Sequence, residues 1–104
     1  MAEGWARVAS LDDVPAGTLL GVEVDGERIV LANVDGDVYA LEDRCSHQDF
    51  PLSDGELEGT ELECIYHGAK FDVCSGRAVQ LPAIRPVKSW EVEVPDDYIF
   101  IQTC

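Results

Sequence analysis

Positive charge is what this sequence has least of. Seven Lys and Arg stand against 21 Asp and Glu, a formal charge of −14 at pH 7. A surface of that sign repels phosphate backbones and anionic headgroups, which excludes nucleic acid and acidic membranes as partners. Long apolar runs are missing too. No stretch approaches the roughly 18 consecutive apolar residues of a membrane-spanning helix. The opening residues, Met1-Ala2-Glu3-Gly4-Trp5, hold neither a basic segment nor an apolar run. No secretory signal is read there, and the expected compartment is the cytoplasm. In that compartment the four cysteines, Cys45, Cys64, Cys74 and Cys104, are not expected to form a disulfide framework; metal or redox chemistry is the better reading. There is no internal repeat, no low-complexity tract, no Gly-rich phosphate loop and no nucleophile beside a base. An Asp/Glu set for a mononuclear iron is also lacking. The chain is therefore not expected to bind a small-molecule substrate or to be an enzyme.

What is present is a β pattern. Hydrophobic residues make up 46% of 104 residues, and the acids are scattered among Val, Ile and Leu. That composition builds one core, not a disordered acidic tail. Residues 5–9 are β-compatible, and Ser10 is placed to cap a short turn. Leu20, Val22 and Val24 alternate with Gly21 and Glu23, the period of a half-buried strand. Asp25-Gly26 and Asp35-Gly36 are hairpin signals on either side of the apolar run 28–34. Residues 37–42 come next as a third strand. Residues 60–64 and 70–72 are short β-like pieces around a loop. Trp90, Val92 and Val94 alternate, and residues 98–102 close the chain as a strand. The expected fold is all-β: antiparallel sheets forming a base from 1–42 and 85–104. A smaller, loop-rich lobe of about 43–84 is inserted between them, all in one domain, 1–104.

The chemistry lies in the lobe. Cys45-Ser46-His47 and Cys64-Ile65-Tyr66-His67 read as C-x-H-x16-C-x2-H and use both histidines of the chain. Three readings compete. Coincidence would leave small buried cysteines and incidental histidines. A structural zinc site uses two Cys and two His, but a zinc finger does not split them one and one on each arm. A binuclear iron–sulfur cluster of mixed ligation places two cysteines on one iron and two histidines on the other. Two loops that each give one Cys and one His suit that arrangement.

The stretch Cys45-Ser46-His47 … Cys64-Ile65-Tyr66-His67-Gly68 resembles the signature of Rieske 2Fe–2S proteins. Asp72-Val73-Cys74-Ser75-Gly76-Arg77-Ala78 resembles the segment on the C-terminal side of that signature in the same family. In length the chain is similar to the Rieske ferredoxins of bacterial ring-hydroxylating dioxygenase systems. The resemblance implies a Rieske-like fold and one 2Fe–2S cluster, held by Cys45 and Cys64 on the inner iron and His47 and His67 on the outer. Gly68 and nearby amides would donate to the sulfides. It implies single-electron transfer from a flavin-dependent, NADH-fed ferredoxin reductase to a terminal oxygenase acting on an aromatic compound. Other placements are a redox subunit of a multicomponent monooxygenase or a nitrite-reductase-like complex; outside redox chemistry, a zinc-stabilised interaction module.

Departures from the family pattern carry information. High-potential members have a disulfide between the two loops, where this sequence has Phe50 and Tyr66. They also place serine and tyrosine hydroxyls near the cluster sulfurs, where Ala69 and Phe71 stand here. Lost hydrogen bonds to sulfur lower the potential. The expectation is the low end of the Rieske range, about −150 mV. Phe50, Pro51 and Leu52 are read as an apolar collar that serves docking or excludes water. Cys74 is read as structural, Cys104 as a free thiol, and Trp5 and Trp90 as sheet-face residues.

Overall fold

The chain enters the fold as an extended strand, β1 (Trp5–Ser10), and turns at once. Ser10 caps the single 3-10 turn Leu11–Asp13. The Asp12 N–H donates to Ser10 Oγ at 3.4 Å, and the Ser10 N–H donates to Asp13 Oδ2 at 3.1 Å. This is the reciprocal capping arrangement that short polar residues make at a turn start. The computed structural model describes residues 4–44, 51–64, 69–80 and 87–102, with Gln80 described in its backbone alone.

Two Asp-Gly pairs then fold a meander of β2 (Leu19–Val24), β3 (Glu27–Val34) and β4 (Asp37–Glu42). Asp25 and Gly26 have φ of 51° and 82°; Asp35 and Gly36 have 52° and 98°. Two successive left-handed residues make the turn whose twist matches paired antiparallel strands, and Gly and Asp tolerate that region best. β5 (Glu56–Glu58), β6 (Glu61–Glu63), β7 (Lys70–Asp72) and β8 (Ala78–Gln80) form a separate four-stranded sheet in that order. β9 (Ser89–Trp90) joins the meander beside β4, while β10 (Val92–Glu93) and β1 flank β11 (Tyr98–Gln102) in a third sheet. Every pairing is antiparallel. Among the described residues there is no α-helix, and no helix is long and apolar enough to cross a membrane. The all-β expectation therefore holds.

One strand reading needs correction. The alternation of Trp90, Val92 and Val94 belongs to two strands, not one. Trp90 pairs with Ala40 in the meander sheet, and Val92 pairs with Ile101 in the third sheet. The chain changes sheets at Glu91, whose carbonyl accepts from the Gln102 N–H at 3.0 Å. The period survives the change because all three side chains pack against the same core.

That core is one of two, and β3 divides them. Val30 and Ala32 face a cluster with Leu41, Leu52, Leu62, Cys64, Ala69, Phe71, Val73 and Val87. Ile29 and Leu31 face the other, with Val14, Val38, Ala40, Ile99 and Ile101. A strand covered on both sides needs an apolar residue at every position, which is why 29–32 reads as an uninterrupted run. Asn33 ends it, 3% exposed. Its Nδ2 donates to the Val14 carbonyl at 2.7 Å, and its Oδ1 accepts from the Gly36 N–H at 2.8 Å. Asn33→Ala leaves both groups without these bonds and is expected to lower stability by about 1–3 kcal/mol, read as a shifted urea midpoint. An unchanged midpoint would show that water replaces both.

Candidate metal centre

Of the four candidate ligands, Cys64 is described and Cys45, His47 and His67 lie outside the described residues, as do Phe50, Tyr66 and Gly68. Cys64 comes directly after β6 and is 0% exposed, packed in the cluster that includes Leu62 and Phe71. Its N–H donates to the Ala69 carbonyl at 2.7 Å, and the preceding pair, Glu63 with Lys70, is in register. The residues on either side of 65–68, the stretch that contains His67, are thus hydrogen-bonded to each other.

The segment carrying Cys45 and His47 is tied at its base by a different device. Asp43, 5% exposed, accepts from the Ser53 N–H at 2.7 Å with Oδ1 and from the Ser53 hydroxyl at 2.7 Å with Oδ2. The Asp43 N–H donates to the Arg28 carbonyl at 3.0 Å, which fixes the entry to the end of β3. On the exit side, the 3-10 turn Leu52–Asp54 buries Leu52 completely in the cluster that holds Cys64. Leu52 is therefore a core residue, which fits the water-excluding role and not the docking one; Pro51 is half-buried, and Phe50 lies outside the described residues. Gly55 then lies against the backbone of β6, where a Cβ would run into the Glu63 carbonyl. The exit of the first segment is thereby pressed onto the strand that leads into Cys64.

Asp43, Ser53 and Gly55 were not singled out by sequence reasoning. They carry no periodicity, and Ser53-Asp54-Gly55 looks like any polar turn. The one available signal was position, since Asp43 and Ser53 flank the first Cys/His segment.

The donors suit a cluster bound by two sulfurs and two nitrogens. A thiolate at Cys64 would be costly among apolar neighbours unless a metal carried the opposing charge. Thiolates and imidazoles are the ligand types of mixed-ligation iron–sulfur sites, and hydrogen bonds within the protein fix the backbone on the flanks of both segments.

Cys74 is not structural in the sense expected: it is exposed, in the turn after β7, where its N–H donates to Asp72 Oδ1 at 3.0 Å. It lines a groove of about 410 Å³ with Tyr39, Trp5 and Trp90. The Cys74 side chain, by hydrogen bonding and electrostatically, pushes the Tyr39 phenol above the usual tyrosine range, with burial, Asp37 and Asp72 acting the same way. The two tryptophans are half-buried at sheet faces, as expected, with Lys88 Nζ 4.8 Å from the Trp90 ring centre. Cys104 lies outside the described residues.

An all-β scaffold with Cys64 directly after a strand of its small sheet, in a chain whose sequence pairs Cys with His twice, fits an iron–sulfur protein of the Rieske class. Residues 4–91 match the family model of the Rieske [2Fe-2S] domain. The chain is 38% identical, over 98% of both chains, to the ferredoxin component of naphthalene 1,2-dioxygenase/salicylate 5-hydroxylase systems of a Ralstonia species. Its structure is similar to the ferredoxin of carbazole 1,9a-dioxygenase from Nocardioides aromaticivorans IC177, with a TM-score of 0.93 and 31% identity over 98% of this chain and 100% of that one. It is also similar to a chain in the complex of reduced oxygenase and oxidised ferredoxin in carbazole 1,9a-dioxygenase. That match has a TM-score of 0.91 and 32% identity, and covers 98% and 95% of the two chains. This chain belongs to the Rieske [2Fe-2S] family, whose cofactor is a 2Fe–2S cluster.

Ala69 and Phe71 are both 0% exposed in the cluster of residues that contains Cys64. Neither offers a hydroxyl. A hydroxyl donated to a cluster sulfur favours the reduced form. Ala69→Ser and Phe71→Tyr are each expected to raise the midpoint potential, on the order of 50 mV, close to a tenfold change for a one-electron couple. Redox titration reads this directly; midpoints unchanged in both variants would show that neither position reaches the sulfurs.

Proposed function

We propose that this chain is a one-electron carrier of an aromatic-ring dioxygenase system. It receives electrons from a flavin-dependent reductase fed by NADH and delivers them to a terminal oxygenase. The observation that carries the reading is end-to-end similarity to a chain of nearly equal length in a complex of oxygenase and ferredoxin. Similarity over 98% of the Ralstonia ferredoxin component supports the same placement. On this reading the chain transfers electrons and is not itself a catalyst. It acts in the cytoplasm, folds as one domain over 1–104, and carries its cluster in a lobe of about 43–84. Docking on both partners is transient.

Cys45 and Cys64 would hold one iron, and His47 and His67 the other. The bound group supplies a one-electron couple at a low potential. The protein supplies the rest. Leu52, Leu62, Phe71, Val73 and Val87 close the Cys64 side against water. The surface supplies attraction at a distance. Glu56 opposes Glu63 and Glu58 opposes Glu61 across β5 and β6, while Leu57 and Leu62 turn to the core. Like charges directly opposed destabilise a sheet, each pair by about 0.2–1 kcal/mol. Such a face is well suited to steering toward a basic partner.

An absorption spectrum of air-oxidised and then dithionite-reduced protein, with iron and sulfide assayed on the same sample, tests the central claim. A red-brown protein with two irons and two sulfides that bleaches on reduction supports it. A colourless, zinc-containing protein made where iron–sulfur assembly works would overturn it.

Steering has a separate test. Transfer to the partner should slow about tenfold or more from low to high salt. Exchanging Glu58 and Glu61 for Gln should flatten that dependence. Salt-independent rates would leave the acidity to solubility or salt adaptation.

A further inference from the structure

We propose that Asp43 and Ser53 form a latch that positions the first ligand segment, with Gly55 setting its distance from the second. The inference rests on the cluster reading above and concerns residues that hold no metal themselves. Asp43 is a buried carboxylate whose two oxygens are each taken up by Ser53, one by the backbone N–H and one by the hydroxyl. Hydrogen bonds to a charged acceptor are about twice as strong as neutral ones. These two bonds tie together the residues on either side of 44–52, the stretch of sequence that contains Cys45 and His47.

The latch is seated in the scaffold from two sides. The Asp43 backbone is bound to the end of β3 through the Arg28 carbonyl at 3.0 Å. Gly21 on β2 lies beneath it: a Cβ there would meet Asp43 Oδ2 and Ser53 Oγ at 3.0 Å each. The base sheet leaves that space open to the pair. Beyond Ser53, the Gly55 N–H donates to the Leu52 carbonyl at 2.9 Å, and its Cα side rests on the Glu63 carbonyl, one residue before Cys64. Movement of the first segment at its base must therefore break the Asp43–Ser53 pair or displace the strand that leads into Cys64. Ligand segments on loops need such support to hold donors in place, and removing supporting partners of metal ligands commonly weakens metal retention about 10–100-fold.

The test compares wild type, Asp43→Asn, Ser53→Ala and Ser53→Thr as purified holoproteins. The readouts are the rate of bleaching by a ferrous chelator after reduction and the electron paramagnetic resonance of the reduced cluster. Ser53→Ala keeps the backbone bond, so it is the variant best placed to fold if Asp43→Asn does not. Asp43→Asn or Ser53→Ala is expected to lose iron at least about tenfold faster, with a shifted or broadened resonance. Ser53→Thr, which retains both donors, is expected to restore the wild-type rate and signal. A merely structural role would lower the melting temperature and leave the resonance of the surviving holoprotein unmoved. That result, or iron loss at the wild-type rate in Ser53→Ala, overturns the latch and leaves the cluster assignment standing. Wild-type protein with no cluster spectrum overturns both.

Discussion

The structure depends on burial of one strand from both sides. β3 gives Val30 and Ala32 to the core beneath the small sheet and Ile29 and Leu31 to the core beneath the third sheet. Burying a side chain the size of Val, Ile or Leu contributes about 1.5–3 kcal/mol. Because successive residues point to opposite faces, neither core can shift along the strand without the other. A slip of one residue would send every apolar group of 29–32 to the wrong side. The register that the two Asp-Gly turns impose is therefore also the register that seats Leu52, Leu62, Cys64 and Phe71. A chain of 104 residues has few apolar side chains for separate cores. Sharing one strand lets both be built.

From that strand the chemistry of the site is built outward. The two candidate ligand segments carry the residue types a metal needs, but donors hold a metal only where the backbone on either side is anchored. Each is closed by hydrogen bonds anchored in sheet: Cys64 to Ala69 at the end of β6 and β7, and Asp43 to Ser53 beside β2 and β3. The contact of Gly55 with the Glu63 backbone joins the two anchors. The route from β3 to the candidate ligands is thus short and made of backbone and one buried ion, not of long side chains with rotamer freedom.

How much of this was legible in the sequence varied with the range of the interaction. The meander was readable because Asp-Gly turns and a period of two are local. The Rieske domain was readable because chelation demands particular residue types at short spacing, and the family model over residues 4–91 bears out the family that the Cys/His pattern pointed to. The division of 89–94 between two sheets was not, since Trp90, Val92 and Val94 face one core and keep one period across the change. Asp43 and Ser53 were not, since an Asp–Ser bond across ten residues leaves no pattern. Gly55 was not, because its requirement is a neighbouring strand. The exposure of Cys74 was not, because it depends on where the turn after β7 faces. Local chemistry can be read from residues; contacts between elements must be seen.

The distribution of charge bears on how a carrier could leave its partner. Two of the seven cations are engaged on the base. Lys88 pairs with Glu27 at 3.2 Å and lies over Trp90, and Arg7 lies over Tyr98. On the outward face of β5 and β6 the glutamates oppose one another, with Lys70 facing Glu63. An oxidised 2Fe–2S group bound by two thiolates adds no net charge, so gaining one electron changes a background of −14 by a single unit. That change is too small to switch docking on and off. If this face does steer, release has to come from contacts that are weak in both states. Exposed ion pairs contribute at most about 1 kcal/mol each and are screened within about 10 Å at moderate salt. Many of them together speed encounter without making a lasting complex, which is what the proposed shuttling between reductase and oxygenase requires.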